Sequence, residues 1–469
     1  MDAFRSATEW ADAIRARAVS PVEVADLYLE RMDRLDPELN AFSFRADDEV
    51  RAAAKAAADA VVSTPADELP PFHGVPLPIK DLNNVAGWPT SYGSRGASAD
   101  PVAADDLVVA RFRAAGFVFT GKTNTPELGT ISFTENDRFG ATRNPWDTTR
   151  TPGGSSGGAG AAVASGMAPL AHASDGGGSI RIPSSCNGLV GLKPSRNRVP
   201  NGVNAIEGFG ISGVVARTVA DSAAALDIVG RPDPLGWYNA PPPEAPFADL
   251  AKRSPGRLRI GITSTPPLAM PVDPEVLAAH AATAELLAGL GHDVFPVELT
   301  MPDVDLFVQS FTTVWNTASA GLPLEPTALE PLNRALRDLG TALDSISYVE
   351  AVYRTQLLSR IITAPFGERF DVLLTPTMAC LPPPVGSVWA GADADPVMPL
   401  LNCFPMAVFT SVWNVTGLPA ISLPLGRSAS GLPIGMQFVA GAWQDAVLLQ
   451  LATQLESAAP WAAVRPTVS

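Results

Sequence analysis

Residues able to do chemistry concentrate in one stretch, residues 151–198, TPGGSSGGAGAAVASGMAPLAHASDGGGSIRIPSSCNGLVGLKPSRNR. Two Gly/Ser clusters, Gly153-Gly154-Ser155-Ser156-Gly157-Gly158 and Gly176-Gly177-Gly178-Ser179, bracket a weakly apolar segment. Glycines beside a serine let the backbone turn tightly and bring main-chain N–H groups close to a ligand. Ser179 therefore stands where a nucleophile and free N–H donors can share one site, as acyl transfer requires. The competing reading is a flexible linker. Strand-like or helix-like segments flank both runs, which argues against it.

Upstream, the apolar, proline-punctuated residues 72–79 end on Lys80-Asp81. A buried ammonium is costly unless it is paired or neutralised. The residues alone leave two readings open: a surface lysine bridged to Asp81, or a buried functional one.

Two further patterns lack the context their chemistry needs. Residues 116–123, GFVFTGKT, satisfy the phosphate-loop pattern GxxxxGK[ST], which must follow a strand and open a helix. Here the intervening residues are themselves strand-like, and Pro126 suits a continuing helix poorly. Residues 153–157, GGSSG, fit the GxSxG elbow of α/β-hydrolases, which needs a preceding strand and a later histidine. Residues 143–152 do not read as a strand. His172, His280 and His292 are the only later histidines, and none has a catalytic context. Ser179 lacks the elbow too, because Arg181 takes its last glycine position. His172 is expected to pack or hydrogen-bond structurally.

The Gly/Ser stretch and its surroundings resemble the amidase signature family of serine hydrolases. The match rests on GGSSGG, the later D-x-G-G-S-I-R-I-P and G-L-V-G-L-K-P, and blocks at residues 74–81 (GVPLPIKD), 121–127 (GKTNTPE), 417–420 (GLPA) and 432–437 (LPIGMQ). It spans nearly the whole chain. The resemblance implies an α/β amidase signature fold, a large twisted mixed β-sheet covered by helices on both faces. It also implies a single domain over residues 1–469, with N-terminal helices to about 62, a catalytic core over about 72–217 and a more variable, pocket-forming region over about 231–400.

The same resemblance assigns Lys80, Ser155 and Ser179 to a Ser–Ser–Lys centre. Lys80, held neutral by burial, would accept a proton relayed through Ser155, whose peptide bond is cis in the family, as Ser179 attacks the carbonyl. Backbone N–H groups of Gly176, Gly177, Gly178 and Ser179 would form the oxyanion hole. Gly176 departs from the threonine or larger residue usual there, giving local room while keeping the donor. Asp175 and Arg181 read as an ion pair steadying the loop, and Ser156 as a hydrogen-bonding support. No metal or cofactor is expected.

The expected substrate is a neutral apolar or aryl amide, anilide or carbamate, because the blocks GATRNPW and GSIRIP look most like nylon-oligomer hydrolases and urethane-cleaving amidases. Pocket candidates are Phe133, Phe139, Trp146, Phe209, Ile211, Phe311, Trp315, Met378, Phe404, Trp413 and Met436, of which a fraction should face substrate. Residues 201–209 are a candidate lid. The main alternative is the glutaminase subunit of a tRNA-dependent amidotransferase; a P-loop protein and a His-dependent α/β-hydrolase are more distant.

Composition is consistent with this. The 469 residues are 46% hydrophobic and 17% charged, enough to bury a large core. A net charge of −15 argues against nucleic acid or an anionic membrane as partner; the resemblance implies a small-molecule amide or carbamate substrate, and a monomer or homodimer is expected. Cys186, Cys380 and Cys403 fit a reducing cytoplasm and form neither a disulfide framework nor a metal pair. No signal peptide or spanning run is read.

The site must be positioned by the surrounding elements. Ser20-Pro21-Val22-Glu23 opens a helix through a capping box, and an alanine-rich helix covers residues 47–62. A helix near 104–115 and a strand at 117–120 follow. Strands at 258–264 and 293–298 with a helix at 274–290 between them give a parallel α/β alternation. Residues 303–364 are mainly helical; strands at 371–376, 419–424 and 434–440 and a helix at 444–457 complete the chain.

Overall fold

The structure, a computed structural model, describes residues 1–200, 202, 208–299, 301–322 and 324–469. Three short strands come first: β1 (Phe42–Phe44), β2 (Pro76–Lys80) and β3 (Val118–Thr123). They form a small sheet in the order β1-β3-β2, with β1 antiparallel and β2 parallel to β3. The remaining strands are β4 (Leu170–Asp175), β5 (Val190–Lys193), β6 (Ile211–Ala216), β7 (Arg259–Ile262), β8 (Asp293–Pro296), β9 (Val372–Pro376), β10 (Ala420–Arg427) and β11 (Pro433–Ala440). These make one mixed sheet in the order β4-β6-β5-β10-β11-β9-β7-β8. β7 lies parallel to β8 and β9, as the alternation predicts, while the other pairs are antiparallel.

The two-residue period of the strands divides the core. Ile421, Leu423, Met436, Phe438, Val372 and Leu374 face one side, where they meet Val276 and Leu287 of helix Pro274–Gly289 and Leu448 and Leu449 of helix Asp445–Ala458. The alternate residues Ala420, Val439 and Leu373 face the other side, with Val314, Ala351 and Leu358 of helices Val304–Ala320 and Ser345–Thr363. Helices thus cover both faces. No helix among the described residues is long and apolar enough to cross a membrane.

The predicted caps form. Ser20 Oγ accepts from Val22 N–H at 3.2 Å, and Glu23 accepts from Ser20 N–H at 2.8 Å, opening helix Pro21–Leu39. The first Gly/Ser run is not a linker. It leads into helix Gly157–Ala164, in which every residue is buried. A Cβ on Gly157 would stand 2.3 Å from Thr134 Oγ1, and one on Gly158 only 2.4 Å from the Ala41 carbonyl oxygen. Close backbone approach dictates glycine here.

Residues 116–123 run into β3 instead of opening a helix, so the phosphate-loop reading fails: the backbone from Val118 to Thr123 pairs with β1 and β2. Lys122 is fully buried, 3.0 Å from Asp81 Oδ1 and donating to Thr90 Oγ1 at 3.0 Å. Asp81 also accepts from Ser43 Oγ at 2.9 Å, from Ser91 N–H at 3.1 Å and from Ser91 Oγ. Consecutive extended residues project to opposite sides. Asp81 therefore serves Lys122, and Lys80 is not bridged to its neighbour. Removing one partner of a buried ion pair strands the other charge. Asp81→Ala is expected to cost about 3–5 kcal/mol in equilibrium denaturation; a loss below about 1 kcal/mol would contradict the pairing.

Candidate active site

β2 carries Lys80 into the interior, where it is 0% exposed. Its Nζ donates to Ser155 Oγ at 2.7 Å and Ser174 Oγ at 3.1 Å, with the Ser174 carbonyl oxygen at 3.4 Å. The nearby acids are committed elsewhere, Asp81 to Lys122 and Asp175 to Arg181. Burial pulls Lys80 down from 10.5 to about 7, against the opposing pull of the Asp175 charge. A large fraction of this amine is thus neutral near pH 7.

Ser155 follows a cis Gly154–Ser155 peptide bond and is 2% exposed. Gly129 stands beside it: a Cβ there would lie 3.2 Å from Ser155 Oγ. Ser156 donates to the Ser174 carbonyl at 3.2 Å and accepts from Ser174 N–H at 3.4 Å. Lys80 and Ser156 therefore both grip the β4 residue Ser174.

Ser179 follows β4 in the second Gly/Ser cluster and reaches a cleft. Its Oγ has no protein hydrogen-bond partner among the described residues. The loop holding it is fixed by Arg181 and Asp175, both fully buried. Arg181 Nε and Nη2 each reach the Asp175 carboxylate at 2.9 Å; Nη2 also donates to Asn414 Oδ1 at 2.7 Å. Nη1 donates to Gln437 Oε1 at 2.8 Å and the Thr410 carbonyl at 2.9 Å, so all five guanidinium donors are used. Burial alone would raise Asp175, but the Arg181 charge and the hydrogen bonds from Arg181 and Asn414 hold it well below the usual carboxylate range. The expected ion pair is present.

One of the four expected oxyanion donors is not available. Gly178 N–H donates to Asp175 Oδ1 at 2.7 Å, and Ile180 N–H to Asp175 Oδ2 at 3.1 Å. Gly178 serves the anchor: its φ of +136° favours glycine, and a Cβ would strike Thr410 Oγ1 at 2.3 Å. Thr410 Oγ1 also donates to the Gly177 carbonyl at 2.7 Å. The N–H groups of Gly176, Gly177 and Ser179 have no backbone or side-chain acceptor among the described residues.

A cleft of about 110 Å³ opens at Ser179. Residues 129–132 form part of its wall, helix Val304–Ala320 contributes Phe307, Phe311 and Trp315, and Phe404, Val408 and Val412 supply another side. No charged side chain is among the described residues that line it. Of the pocket candidates, Phe311, Trp315 and Phe404 line this cleft, and the others lie elsewhere. Phe209 stacks behind Phe311 at 5.9 Å. Phe133 and Met378 belong to a separate core with Ile182 and Cys186, while Ile211 and Met436 pack in the main core on β6 and β11. Trp413 is 1% exposed and packs on Phe366. Trp146 donates to the Asn187 carbonyl under the Arg427 guanidinium, and Phe139 lies beneath Arg138. Size and apolarity do not separate core from pocket. Of the candidate lid, residues 201 and 203–207 lie outside the described residues.

None of His172, His280 and His292 lines the cleft. His172 Nδ1 accepts from Lys80 N–H at 3.3 Å, and burial, with the charges of Lys80 and Lys122, takes the ring down to about 3. His292 accepts from Leu258 N–H and pairs with Gln454, and His280 sits on helix Pro274–Gly289. The sequence reading missed Ser174, Thr410, Asn414 and Gln437. Asn414 and Gln437 do leave a signal: each is a lone amide in an apolar run, SVWNV and IGMQFV.

The family model described as Amidase matches residues 23–449. The AmiB2 protein of Mycobacterium tuberculosis is 40% identical, covering 100% of this chain and 99% of its own. The 6-aminohexanoate-cyclic-dimer hydrolase of Paenarthrobacter ureafaciens is 35% identical, covering 99% and 97%. Among solved structures, 6-aminohexanoate cyclic dimer hydrolase complexed with substrate superposes with a TM-score of 0.93 at 34% identity over 100% of both chains. A bacterial aryl acylamidase of the amidase signature family gives 0.88 at 25% identity over 99% of both. With model, relatives and fold in agreement over nearly its entire length, the chain belongs to the amidase signature family of amidohydrolases, enzymes of amide C–N bond cleavage.

Proposed function

We propose that this chain hydrolyses a neutral apolar or aryl amide, anilide or carbamate through an acyl-enzyme on Ser179, with Lys80 as the base acting through Ser155. The observation that carries the reading is Lys80, fully buried without a paired carboxylate and 2.7 Å from Ser155 Oγ. A neutral amine is a competent general base, and burial is what keeps it neutral.

In this reading Ser179 Oγ bonds to the carbonyl carbon as its proton passes to Ser155 Oγ and the Ser155 proton passes to Lys80 Nζ. The carbonyl oxygen gains negative charge facing the N–H groups of Gly176, Gly177 and Ser179, each such donor being worth about 2.7–4 kcal/mol. Collapse breaks the C–N bond, and the leaving nitrogen takes the proton back along the same path. Water then gives a proton to the relay and its oxygen to the acyl carbon, releasing the acid and restoring Ser179. Asp175, Arg181 and Ser156 support this geometry without touching the reacting atoms.

The uncharged cleft supports a neutral substrate, because a charge buried there would be unpaired. The names of the relatives, a cyclic-dimer hydrolase and an aryl acylamidase, favour the same class. A carbamate presents an equally neutral carbonyl. Glutamine, the substrate of the amidotransferase alternative, brings an ammonium and a carboxylate that this lining leaves without partners.

Ser179→Ala, Ser155→Ala and Lys80→Met should each lower kcat by about 10³–10⁶-fold on an aryl amide, and the triple variant should be little worse than the worst single one. A folded Ser179→Ala protein with wild-type turnover would exclude the mechanism. Because Lys80 must be neutral and titrates at about 7, kcat/KM for an uncharged substrate should rise with pH through that value and level off above it. A profile that stays flat down to about pH 5 would contradict a lysine base. An aryl amide should be preferred over free glutamine by about 10³-fold or more in kcat/KM; comparable values would favour the glutaminase alternative.

A further inference from the structure

Residues 129–133 form the bed on which Gly154 and Ser155 lie. A Cβ on Gly129 would stand 3.2 Å from Ser155 Oγ, and one on Gly154 only 2.8 Å from the carbonyl carbons of Ser132 and Phe133. Residues 129–132 also line the cleft. The turn leading into this bed is conformationally unfavourable, with φ of +56° at Leu128 and +71° at Gly129. A leucine in the left-handed region persists only where its surroundings over-determine it. Here Asn333, in the first turn of helix Pro331–Thr341, supplies that constraint. It is 1% exposed and commits its whole amide to the turn. Nδ2 donates to Glu127 Oε2 at 2.9 Å and to the Glu127 carbonyl at 3.2 Å, and Oδ1 accepts from Thr130 Oγ1 at 2.8 Å. Glu127 Oε2 also accepts from Glu330 N–H at 2.9 Å, and Oε1 from Ser94 Oγ at 2.6 Å.

We propose that Asn333 is a positioning residue for the proton relay: it clamps residues 127–130 so that the bed holds Ser155 Oγ in line between Lys80 and Ser179. The inference rests on the reading of Ser155 as the relay. Asn333 has no hydrogen bond to Lys80, Ser155 or Ser179 and does not line the cleft, so it acts only through the geometry it enforces. Its own helix is fixed. Leu332 and Leu336 share a core with Ile131 and Phe133, and Gly340 lies so close to helix Val304–Ala320 that a Cβ would stand 2.4 Å from the Asn316 carbonyl oxygen. A clamp on a rigid helix holds a strained turn in one place, and a misplacement of about 1 Å at a reacting group costs about 100-fold in rate.

A double-mutant cycle on the full chain, with an aryl amide as substrate and product counted by mass spectrometry, tests this. Asn333→Leu should lower kcat about 10–100-fold with KM within about threefold of wild type. In the Ser155→Ala background, where no relay is left to misplace, the same substitution should change the rate by less than about threefold. A purely structural role would lower the rate equally in both backgrounds. Thr130→Val removes only the hydroxyl that Asn333 accepts and leaves the Glu127 carboxylate satisfied, so it carries the test if Asn333→Leu does not fold. It should show the same pattern with a drop of about 3–10-fold. Equal losses in the two backgrounds, or folded variants with wild-type kcat, overturn the proposal. A Ser155→Ala protein with wild-type turnover would overturn the relay itself and this inference with it, and the single variant alone reveals that outcome.

Discussion

Everything at the centre of this molecule depends on burying the amine of Lys80 without a carboxylate to pair it. An ammonium in that position is strongly disfavoured, and the consequence is a pKa of about 7. The chain contains five lysines, and three of them are buried. Lys122 is given Asp81. Lys193, also pulled to about 7 by burial and the nearby Arg181 charge, donates to the Pro194 carbonyl at 2.8 Å. Lys80 is given two serine hydroxyls and a carbonyl, partners that accept from an amine without fixing its charge. That difference sets Lys80 apart from Lys122, whose partner is a carboxylate.

The second constraint is the rigidity of the turn after β4. Arg181 spends every donor on Asp175, Asn414, Gln437 and Thr410, drawn from the turn itself, helix Ser411–Thr416 and β11. Asp175 in turn holds the N–H groups of Gly178 and Ile180. Ser179 is thereby clamped from both sides, and the remaining N–H groups stay unclaimed. A fully satisfied buried network of this kind specifies one geometry, whereas a partly satisfied one would be costly.

Much of this was legible in the sequence. The capping box at Ser20, the strand around Val118 and the β–α–β alternation from residue 258 follow from local propensity and period, and they form where expected. The Gly/Ser clusters also announced themselves, because close packing tolerates no side chain at Gly157 or Gly158. What local pattern could not convey was partner choice across the fold. Nothing in Lys80-Asp81 says that the acid turns away to Lys122, and nothing in GGGS says that one of its four amides is taken by Asp175. The pocket was the hardest part. Phe311 and Trp413 look alike in sequence, yet one lines the cleft and the other fills the core.

The most direct test of the account is the titration of Lys80 itself, followed by NMR of the chain carrying ¹³Cε-labelled lysine. Five lysines give a tractable spectrum, and the signal absent from Lys80→Met identifies the residue and separates it from Lys193. Lys80 is expected to show a midpoint at about 7. A Lys80 that stays charged up to the ordinary lysine range, about 10.4, would contradict it.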